Sequence, residues 1–209
     1  MNTIAPPDQT VHAAAHALSD AQAKPVGALG RLEELAAWVA ACQGECPPRP
    51  LTDVRVVVFA GDHGVAASGV SAYPAEVTPA MVHGILAGGA GVNALARAVG
   101  ASVTVYDFGV RVLEGVPEEV QRFRIGPARP IHLEDALAEA ALAAALDAGD
   151  TIAAEAIAEG AQLLIAGDLG IGNTTPSAAL LAASLVLRGA DVAGRGTGID
   201  DKKLAGKVA

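Results

Sequence analysis

Continuous runs of apolar residues along the chain predict three buried β-strands. The runs are residues 54–60 (VRVVVFA), 102–106 (SVTVY) and 162–166 (QLLIA), and each is followed by glycine and aspartate. An unbroken apolar run is typical of a strand that is buried on both faces. Between and after these runs, apolar residues recur at helical spacing. This alternation favours an α/β fold, a three-layer arrangement in which helices cover a parallel sheet.

The helical spacing predicts helices in five segments, namely residues 8–23, 29–43, 79–99, 133–160 and 176–187. We expect the fourth helix to break at Gly149 and Asp150, because glycine is unfavourable inside a helix. Thr78 and Thr175 each precede a proline. This pattern predicts that the two threonines cap helices whose first residues are Pro79 and Pro176.

Prolines at positions 47, 48 and 50 separate the first two predicted helices from the rest of the chain. Proline ends helices, so we expect a boundary at this point. The predicted organisation is a small N-terminal helical arm over residues 1–50 and an α/β core over residues 51–209. Ligands of open α/β sheets bind at the carboxyl ends of the strands, so we expect the functional site in the loops that follow the three apolar runs.

Composition excludes several classes of function. Although 52% of the 209 residues are hydrophobic, the longest uncharged stretches, residues 79–96 and 169–187, are interrupted by Gly, Asn, Thr or Pro. We therefore expect a soluble chain without a membrane span. A formal net charge of −9 and an aromatic content of 3% disfavour binding to nucleic acid or to anionic membranes.

The first ten residues lack the basic and apolar regions of a secretory signal, which favours a cytoplasmic location. The two cysteines, Cys42 and Cys46, agree with a reducing compartment. They have no further ligands nearby in the sequence, so we predict no metal site there. His12 and His16 lie one helical turn apart, and we interpret them as solvated for the same reason.

The segment of residues 167–176 (GDLGIGNTTP) is the most informative for function. Its glycines let a backbone approach a ligand, Thr174 and Thr175 add hydroxyl groups, and the helix that follows directs its positive end toward an anion. We interpret it as a phosphate or phosphosugar site, with a purely structural turn as the alternative. It lacks the Walker sequence, and Thr175 replaces the third glycine of the dinucleotide motif, which disfavours nucleotide hydrolysis and dinucleotide redox chemistry.

Three weaker candidates accompany this segment. Residues 88–93 (GGAGVN) lie within a predicted helix and indicate close packing on a neighbouring backbone, a break in the helix, or the approach of a ligand. Residues 194–201 (GRGTGIDD) indicate either a surface loop or a second wall of the phosphate site. Asp62 and His63 could act as acid or base, although a histidine at a strand end is more often a hydrogen-bonded structural residue. No serine or cysteine lies in a recognisable nucleophile motif.

Six segments resemble, in their order along the chain, the nicotinate-nucleotide:dimethylbenzimidazole phosphoribosyltransferases. They are A-G-D-H-G-V (residues 60–65), Y-P-A-E-V-T (73–78), G-G-A-G-V-N-A-L-A-R (88–97), Y-D-F-G-V (106–110), G-D-L-G-I-G-N-T-T-P-S-A-A (167–179) and G-R-G-T-G-I-D-D (194–201). The G-I-G-N-T-T-P sequence is the most specific of these.

The resemblance implies a three-layer α/β core, a small helical domain and a homodimer, without a metal or organic cofactor. The implied small-molecule substrates are nicotinate mononucleotide and 5,6-dimethylbenzimidazole. Transfer of the phosphoribosyl group between them gives α-ribazole 5′-phosphate, for the lower ligand of cobalamin, and nicotinate. The alternative from another class is a non-catalytic domain that binds a phosphosugar or nucleotide.

The resemblance also assigns site residues. Phosphate and ribose contacts fall on Asp168, Gly170, Ile171, Gly172, Asn173, Thr174, Gly196 and Lys207. A carboxylate, Asp200 or Asp201, is expected to cap the helix that carries Lys207. Lys202 and Lys203 are the rival cations.

The aromatic base is expected against Tyr73 and Met81, where some family members carry serine and glutamine. Asp168 stands where the family often has glutamate. Family chains continue well past Ala209, and the glutamate that they use as general base lies in that continuation. The chain is therefore expected to be a fragment, and no catalytic residue is assigned within it.

Overall fold

A computed structural model describes residues 4–208, and the expectations that concern residues 1–3 and 209 lie outside these residues. The chain divides into two compact units, of which the first ends at Leu51 and the second begins at Thr52. The elements in chain order are α1 (Gln9–Asp20), α2 (Arg31–Gln43), β1 (Val54–Gly61), α3 (Val77–Leu86), α4 (Gly91–Val99), β2 (Ser102–Gly109), α5 (Glu139–Ala158), β3 (Leu163–Leu169), α6 (Thr174–Leu185), α7 (Gly189–Val192) and α8 (Asp201–Val208), with short 3-10 helices at Gly64–Ser68 and Glu118–Gln121.

The first unit is a pair of packed helices. Asp8 caps α1, and its carboxylate accepts hydrogen bonds from the Thr10 and Val11 amides at 2.8 and 3.1 Å. The Asp8 amide donates to the Ala41 carbonyl at 3.0 Å and so ties the start of α1 to α2. The buried side chains of α2 include Ala37 and Ala40.

The second unit contains a parallel sheet in the order β2-β1-β3. Val58 at the centre of β1 pairs with Val105 on one side and with Gly167 on the other. Its neighbours Val56 and Val57 are also buried, which explains the continuous apolar run in this strand. Strand β3 is an edge strand in the described residues, and Ile165 on it is 44% exposed.

The main core lies between one face of the sheet and α3. Val56, Val58 and Ala60 alternate along β1 and contribute to it. Val82 and Ile85 of α3 pack into the same cluster. On α5, buried positions recur at helical spacing at Ala148, Ile152 and Ala156. The architecture confirms the predicted α/β class, a parallel sheet flanked by helices with an N-terminal helical arm.

All three strands extend further than their apolar runs. The structure ends β1 at Gly61, β2 at Gly109 and β3 at Leu169. Because the ladder continues through polar positions, Asp168 lies on a strand opposite Phe59 rather than in the loop after it. The expectation that Asp168 belongs to the loop was therefore wrong.

Two predicted helices differ from those observed. The helix expected over residues 133–160 begins only at Glu139 and continues through Gly149 and Asp150, so the predicted break there was wrong. A single glycine lowers helix stability by only about 1 kcal/mol, which packing at Ala148 and Ile152 can offset. The segment expected to be helical over residues 79–99 forms two helices, α3 and α4, that the glycine-rich residues 87–90 separate.

The predicted caps of α3 and α6 were also wrong. Helix α3 begins at Val77 and α6 at Thr174, so each proline occupies the third helical position and each threonine lies inside the first turn. Proline is tolerated there because the amides of the first turn have no partner within the helix. The threonines are thus free for other contacts.

Within residues 4–208, every helix is too short or too polar to span a bilayer.

Candidate active site

The parallel strands bring three chemically distinct loops to one edge of the sheet. Strand β1 leads into Asp62 and His63, β2 ends at Gly109, and β3 leads into Gly170. The Asp62 amide donates to the Gly109 carbonyl at 3.0 Å, which joins the first two loops. This edge is where α/β sheets bind ligands.

The turn that follows β3, residues 170–173, is held in place by its neighbours. Gly170 lies so close to β1 that a Cβ atom would collide with the Gly61 carbonyl and would lie 3.0 Å from the His63 ring. The Ile171 amide donates to the hydroxyl of Thr78, a fully buried side chain, at 3.1 Å. Gly172 has a φ of +86°, a conformation that favours glycine.

Asn173 joins this turn to β3. Its Nδ2 atom donates to Asp168 Oδ2 at 2.8 Å. Its carbonyl accepts from the Ser177 hydroxyl at 2.9 Å, one turn into α6. The Asn173 and Thr175 amides donate to the Gly170 and Gly172 carbonyls at 3.1 and 3.0 Å, and Pro176 has no amide hydrogen. Among the described residues, the Thr174 amide at the start of α6 has no backbone partner and can donate to an anion.

Lys207 approaches the start of α6 from α8. Its ammonium donates to the Thr174 hydroxyl at 2.7 Å and to the Gly194 carbonyl at 3.0 Å. Partial burial lowers the pKa of Lys207 below its ordinary value. Gly196 leaves room for this contact, since a Cβ atom there would lie 2.8 Å from the Thr174 hydroxyl oxygen and 3.6 Å from Nζ.

The helix that carries Lys207 is capped as expected. Asp200 Oδ1 accepts a hydrogen bond from the Lys203 amide at 2.8 Å. Asp201 instead pairs with Arg195. Lys202 and Lys203 are exposed on α8.

A cavity of about 230 Å³ lies over the turn. It is lined by Val70, Ser71, Met81, Asp168, Leu169, Gly170, Ile171, Gly172, Asn173, Thr174 and Thr197. The structure thus brings together six of the expected phosphate and ribose residues and Met81. Gly196 and Lys207 lie behind Thr174 rather than in the lining. Tyr73 is 58% exposed and does not belong to the lining.

A hydrogen-bonded contact between two residues that line this cavity, Ser71 and Thr197, was not predicted from the sequence. The Thr197 hydroxyl lies 3.0 Å from the Ser71 hydroxyl and accepts a hydrogen bond from the Ala72 amide at 2.7 Å. Thr197 belongs to residues 194–201, which the sequence suggested as a possible second wall of the phosphate site. That suggestion was the only sequence pattern that could have indicated Thr197. Ser71 carried no signal of its own.

His63 lies beside this turn in a buried environment. Burial lowers the pKa of His63, while the charges of Asp168 and Asp62 act in the opposite direction. Its Nε2 atom is buried and has no hydrogen-bond partner within residues 4–208. The expectation that His63 is a hydrogen-bonded structural residue is therefore not met at this atom.

No cluster of three or more metal-ligating side chains occurs in the described part of the chain. Cys42 and Cys46 are free thiols. His12 and His16 lie in edge contact, with 4.8 Å between ring centroids. The arrangement beside Asp168 is a glycine-rich turn before a helix, with the Lys207 ammonium at the Thr174 hydroxyl.

Comparison with known proteins agrees with this geometry. Residues 4–209 match a family model described as phosphoribosyltransferase. The nicotinate-nucleotide--dimethylbenzimidazole phosphoribosyltransferase of Mycobacterium marinum is 52% identical over 207 residues, which cover 99% of this chain and 58% of the relative. The protein of the same name from Mycobacterium tuberculosis is 52% identical over 208 residues, 99% of this chain and 57% of the relative.

Solved structures show the same similarity. The crystal structure of CobT from Thermus thermophilus superposes with a TM-score of 0.87 at 45% identity, over 95% of this chain and 60% of that one. The chain therefore spans less than two thirds of the length of the relatives that it matches. Since the family model covers nearly every residue, the chain belongs to this phosphoribosyltransferase family.

Proposed function

We propose that the chain forms the phosphoribosyl-binding part of an enzyme that transfers the phosphoribosyl group of nicotinate mononucleotide to 5,6-dimethylbenzimidazole. The products are α-ribazole 5′-phosphate and nicotinate. The observation that carries the proposal is the cradle of residues 170–174 with the Lys207 ammonium at the Thr174 hydroxyl. The names of the relatives support the choice of substrates.

The chemistry of this reaction asks for positioning rather than for a cofactor. The bond from ribose C1′ to the pyridinium nitrogen breaks, and its electron pair neutralises the departing nicotinate ring. An azole nitrogen attacks C1′ from the opposite face, which converts the β-linkage into an α-linkage, and the azole N–H proton passes to a base. A site that holds the phosphate and ribose in line with the azole supplies much of the rate enhancement.

The described residues fit the phosphoribosyl half of this task. The turn amides and Lys207 suit the phosphate dianion, and Asp168 and Asn173 offer polar atoms for ribose hydroxyl groups. Met81 at the cavity presents a polarizable thioether to a flat base. We propose that Tyr73 and Met81 contact the azole. Tyr73 is exposed and lies close to Met81 in the sequence.

We propose in addition that the protein assembles as a homodimer, as the resemblance implies. We also propose a cytoplasmic location, because the free thiols Cys42 and Cys46 suit a reducing compartment.

The test combines binding and turnover. Calorimetry should detect nicotinate mononucleotide binding to this chain. Thr174→Val should weaken it, since the substitution removes the hydroxyl that Lys207 holds. Thr151→Val on α5 removes a hydroxyl bonded only to the Asp147 carbonyl and should leave binding unchanged.

Turnover is measured by chromatographic detection of α-ribazole phosphate, with this chain and with the chain extended past Ala209. We expect product from the extended chain. Binding without product from either one contradicts a transferase and favours a non-catalytic phosphosugar-binding domain.

A further inference from the structure

The Nε2 atom of His63 has no role in the proposed phosphoribosyl transfer. Its Nε2 atom is buried, and no atom of residues 4–208 forms a hydrogen bond with it. Buried polar atoms without partners are rare because they lose their bonds to water without compensation. A group of this kind beside a binding site calls for a partner that becomes available when the ligand binds.

The ring of His63 contacts the turn that forms the phosphate cradle. Its Cδ2 and Nε2 atoms would both lie 3.0 Å from a Cβ atom placed on Gly170. The ring also lines a second cavity, of about 450 Å³, together with Asp168, Asp150, Phe59 and Phe108. Asp168 lines this cavity and the one over the turn, so it is shared between His63 and the ligand site.

Two carboxylates act on the ring, those of Asp168 and Asp62, and a third, that of Asp150, lines the same cavity. Asp62 precedes it in the chain, Asp168 lies on β3, and Asp150 lies on α5. Burial nevertheless lowers the pKa of His63, so the imidazole is neutral at neutral pH and carries one N–H. A neutral ring can donate to a carboxylate without the cost of burying a full charge.

We propose that His63 is a positioning residue of the phosphoribosyl site: its ring supports the Gly170 turn, and Nε2–H donates a hydrogen bond to the Asp168 carboxylate when substrate is bound. In this structure Asp168 Oδ2 accepts from the Asn173 amide at 2.8 Å, which orients the carboxylate away from a bond with Nε2. Substrate that engages the Asn173 amide releases Asp168, and His63 then fixes its orientation. The inference rests on the proposed function, since it takes the turn to be the phosphoribosyl site.

Calorimetric titration of nicotinate mononucleotide tests this role. His63→Leu should weaken binding by roughly tenfold or more, the scale of a lost hydrogen bond to a charged group. His63→Gln places an amide N–H near the position of Nε2 and should recover most of the affinity. His83→Gln, at an exposed position on α3, is the matched control and should bind as the unaltered chain does. Circular dichroism verifies that each variant is folded.

A second measurement needs no substitution at His63. The imidazole signals of the unaltered chain are followed by NMR while the pH is lowered, and again while nicotinate mononucleotide is added. Because burial lowers the pKa of His63, we expect its signal to stay in the neutral form at neutral pH, and we expect it to shift on addition of the nucleotide.

Equal affinity of the unaltered chain, His63→Leu and His63→Gln overturns the inference, as does a His63 signal that the nucleotide does not move. A loss in His63→Leu that His63→Gln fails to recover also overturns it and assigns the ring a packing role only. An unaltered chain that does not bind nicotinate mononucleotide refutes the proposed function itself and the inference with it.

Discussion

Lys207 provides a positive charge beside a turn whose own side chains carry none. Its ammonium has three donors. Two of them are used by the Thr174 hydroxyl and the Gly194 carbonyl. The proposed function requires the third to reach a phosphate oxygen past Thr174, because in this structure Lys207 lines a neighbouring cavity with Thr175 rather than the cavity over the turn. Partial burial, which lowers the pKa of Lys207, strengthens the attraction to an anion because less water screens it.

Lys207→Ala should therefore weaken the binding of nicotinate mononucleotide. A charge-assisted hydrogen bond is lost, so we expect a cost of roughly 1.5 to 3 kcal/mol in the free energy of binding. Lys203→Ala is the matched control, because Lys203 lies on the same helix and is exposed. Calorimetry on both folded variants decides between the two cations. Unaltered affinity in Lys207→Ala removes this residue from the proposed site.

The sequence indicates site residues only where the backbone itself forms the site. Gly170, Gly172 and Thr174 are candidates from the sequence because a glycine-rich turn before a helix suits an anion, with a purely structural turn as the alternative. Ser71 and Thr197 could not be linked from the sequence, since their hydrogen bond joins segments far apart in the chain. The unpartnered Nε2 of His63 likewise depends on tertiary burial, which no local pattern records.

At the scale of elements, Thr78 connects α3 to the turn after β3. Its side chain is fully buried, and its hydroxyl is the acceptor for the Ile171 amide at 3.1 Å. This bond holds the turn after β3 in place. The threonine that the sequence suggested as a helix cap thus positions this turn instead.

Thr78→Val keeps the shape of the side chain and removes this acceptor. The Ile171 amide is then buried without a partner, so the free energy of unfolding should fall by about 1–3 kcal/mol. Urea denaturation measures the change. Thr151→Val on α5 is the control and should stay within about 0.5 kcal/mol, because the Thr151 hydroxyl bonds only within its own helix. Equal stability of the two variants contradicts a structural role for the Thr78 hydroxyl.

The sequence predicted the existence of the elements more reliably than their ends. The apolar runs located β1, β2 and β3, but only the central strand β1 is buried at consecutive positions. Strands β2 and β3 lie on either side of it and have exposed positions in the described residues, so the expectation of burial on both faces was wrong for them. Backbone hydrogen bonds between the strands extend β1 to Gly61, β2 to Gly109 and β3 through Asp168. This pairing needs no particular side chain. Helix α5 continued through Gly149 because tertiary packing outweighed local propensity.

At the scale of the whole molecule, the net charge of −9 opposes the binding of an anion. The repulsion is long-range, whereas the attraction of Lys207 acts over a single contact. Salt screens the long-range repulsion once the Debye length falls below the dimensions of the protein. A phosphate site in such an acidic chain therefore depends on its local cation, and removal of that cation should change how binding responds to salt.

Salt dependence distinguishes the two effects. Between about 0.01 M and 0.15 M NaCl the Debye length falls from roughly 30 Å to 8 Å. We expect the affinity of the unaltered chain and of Lys203→Ala for nicotinate mononucleotide to decrease over this range, because salt weakens the ion pair with Lys207. In Lys207→Ala only the repulsion remains, so its affinity should stay constant or rise.

The comparison of the two variants is matched in charge, since each substitution makes the net charge one unit more negative. Competition by chloride for the cradle acts on both variants and does not account for a difference in slope. Calorimetry or equilibrium dialysis at each salt concentration supplies the affinities. The same decrease in Lys207→Ala as in Lys203→Ala would show that another cation holds the phosphate. A flatter or inverted dependence in Lys207→Ala alone would assign the electrostatic part of the proposed site to this one ammonium, within a chain whose net charge of −9 repels anions.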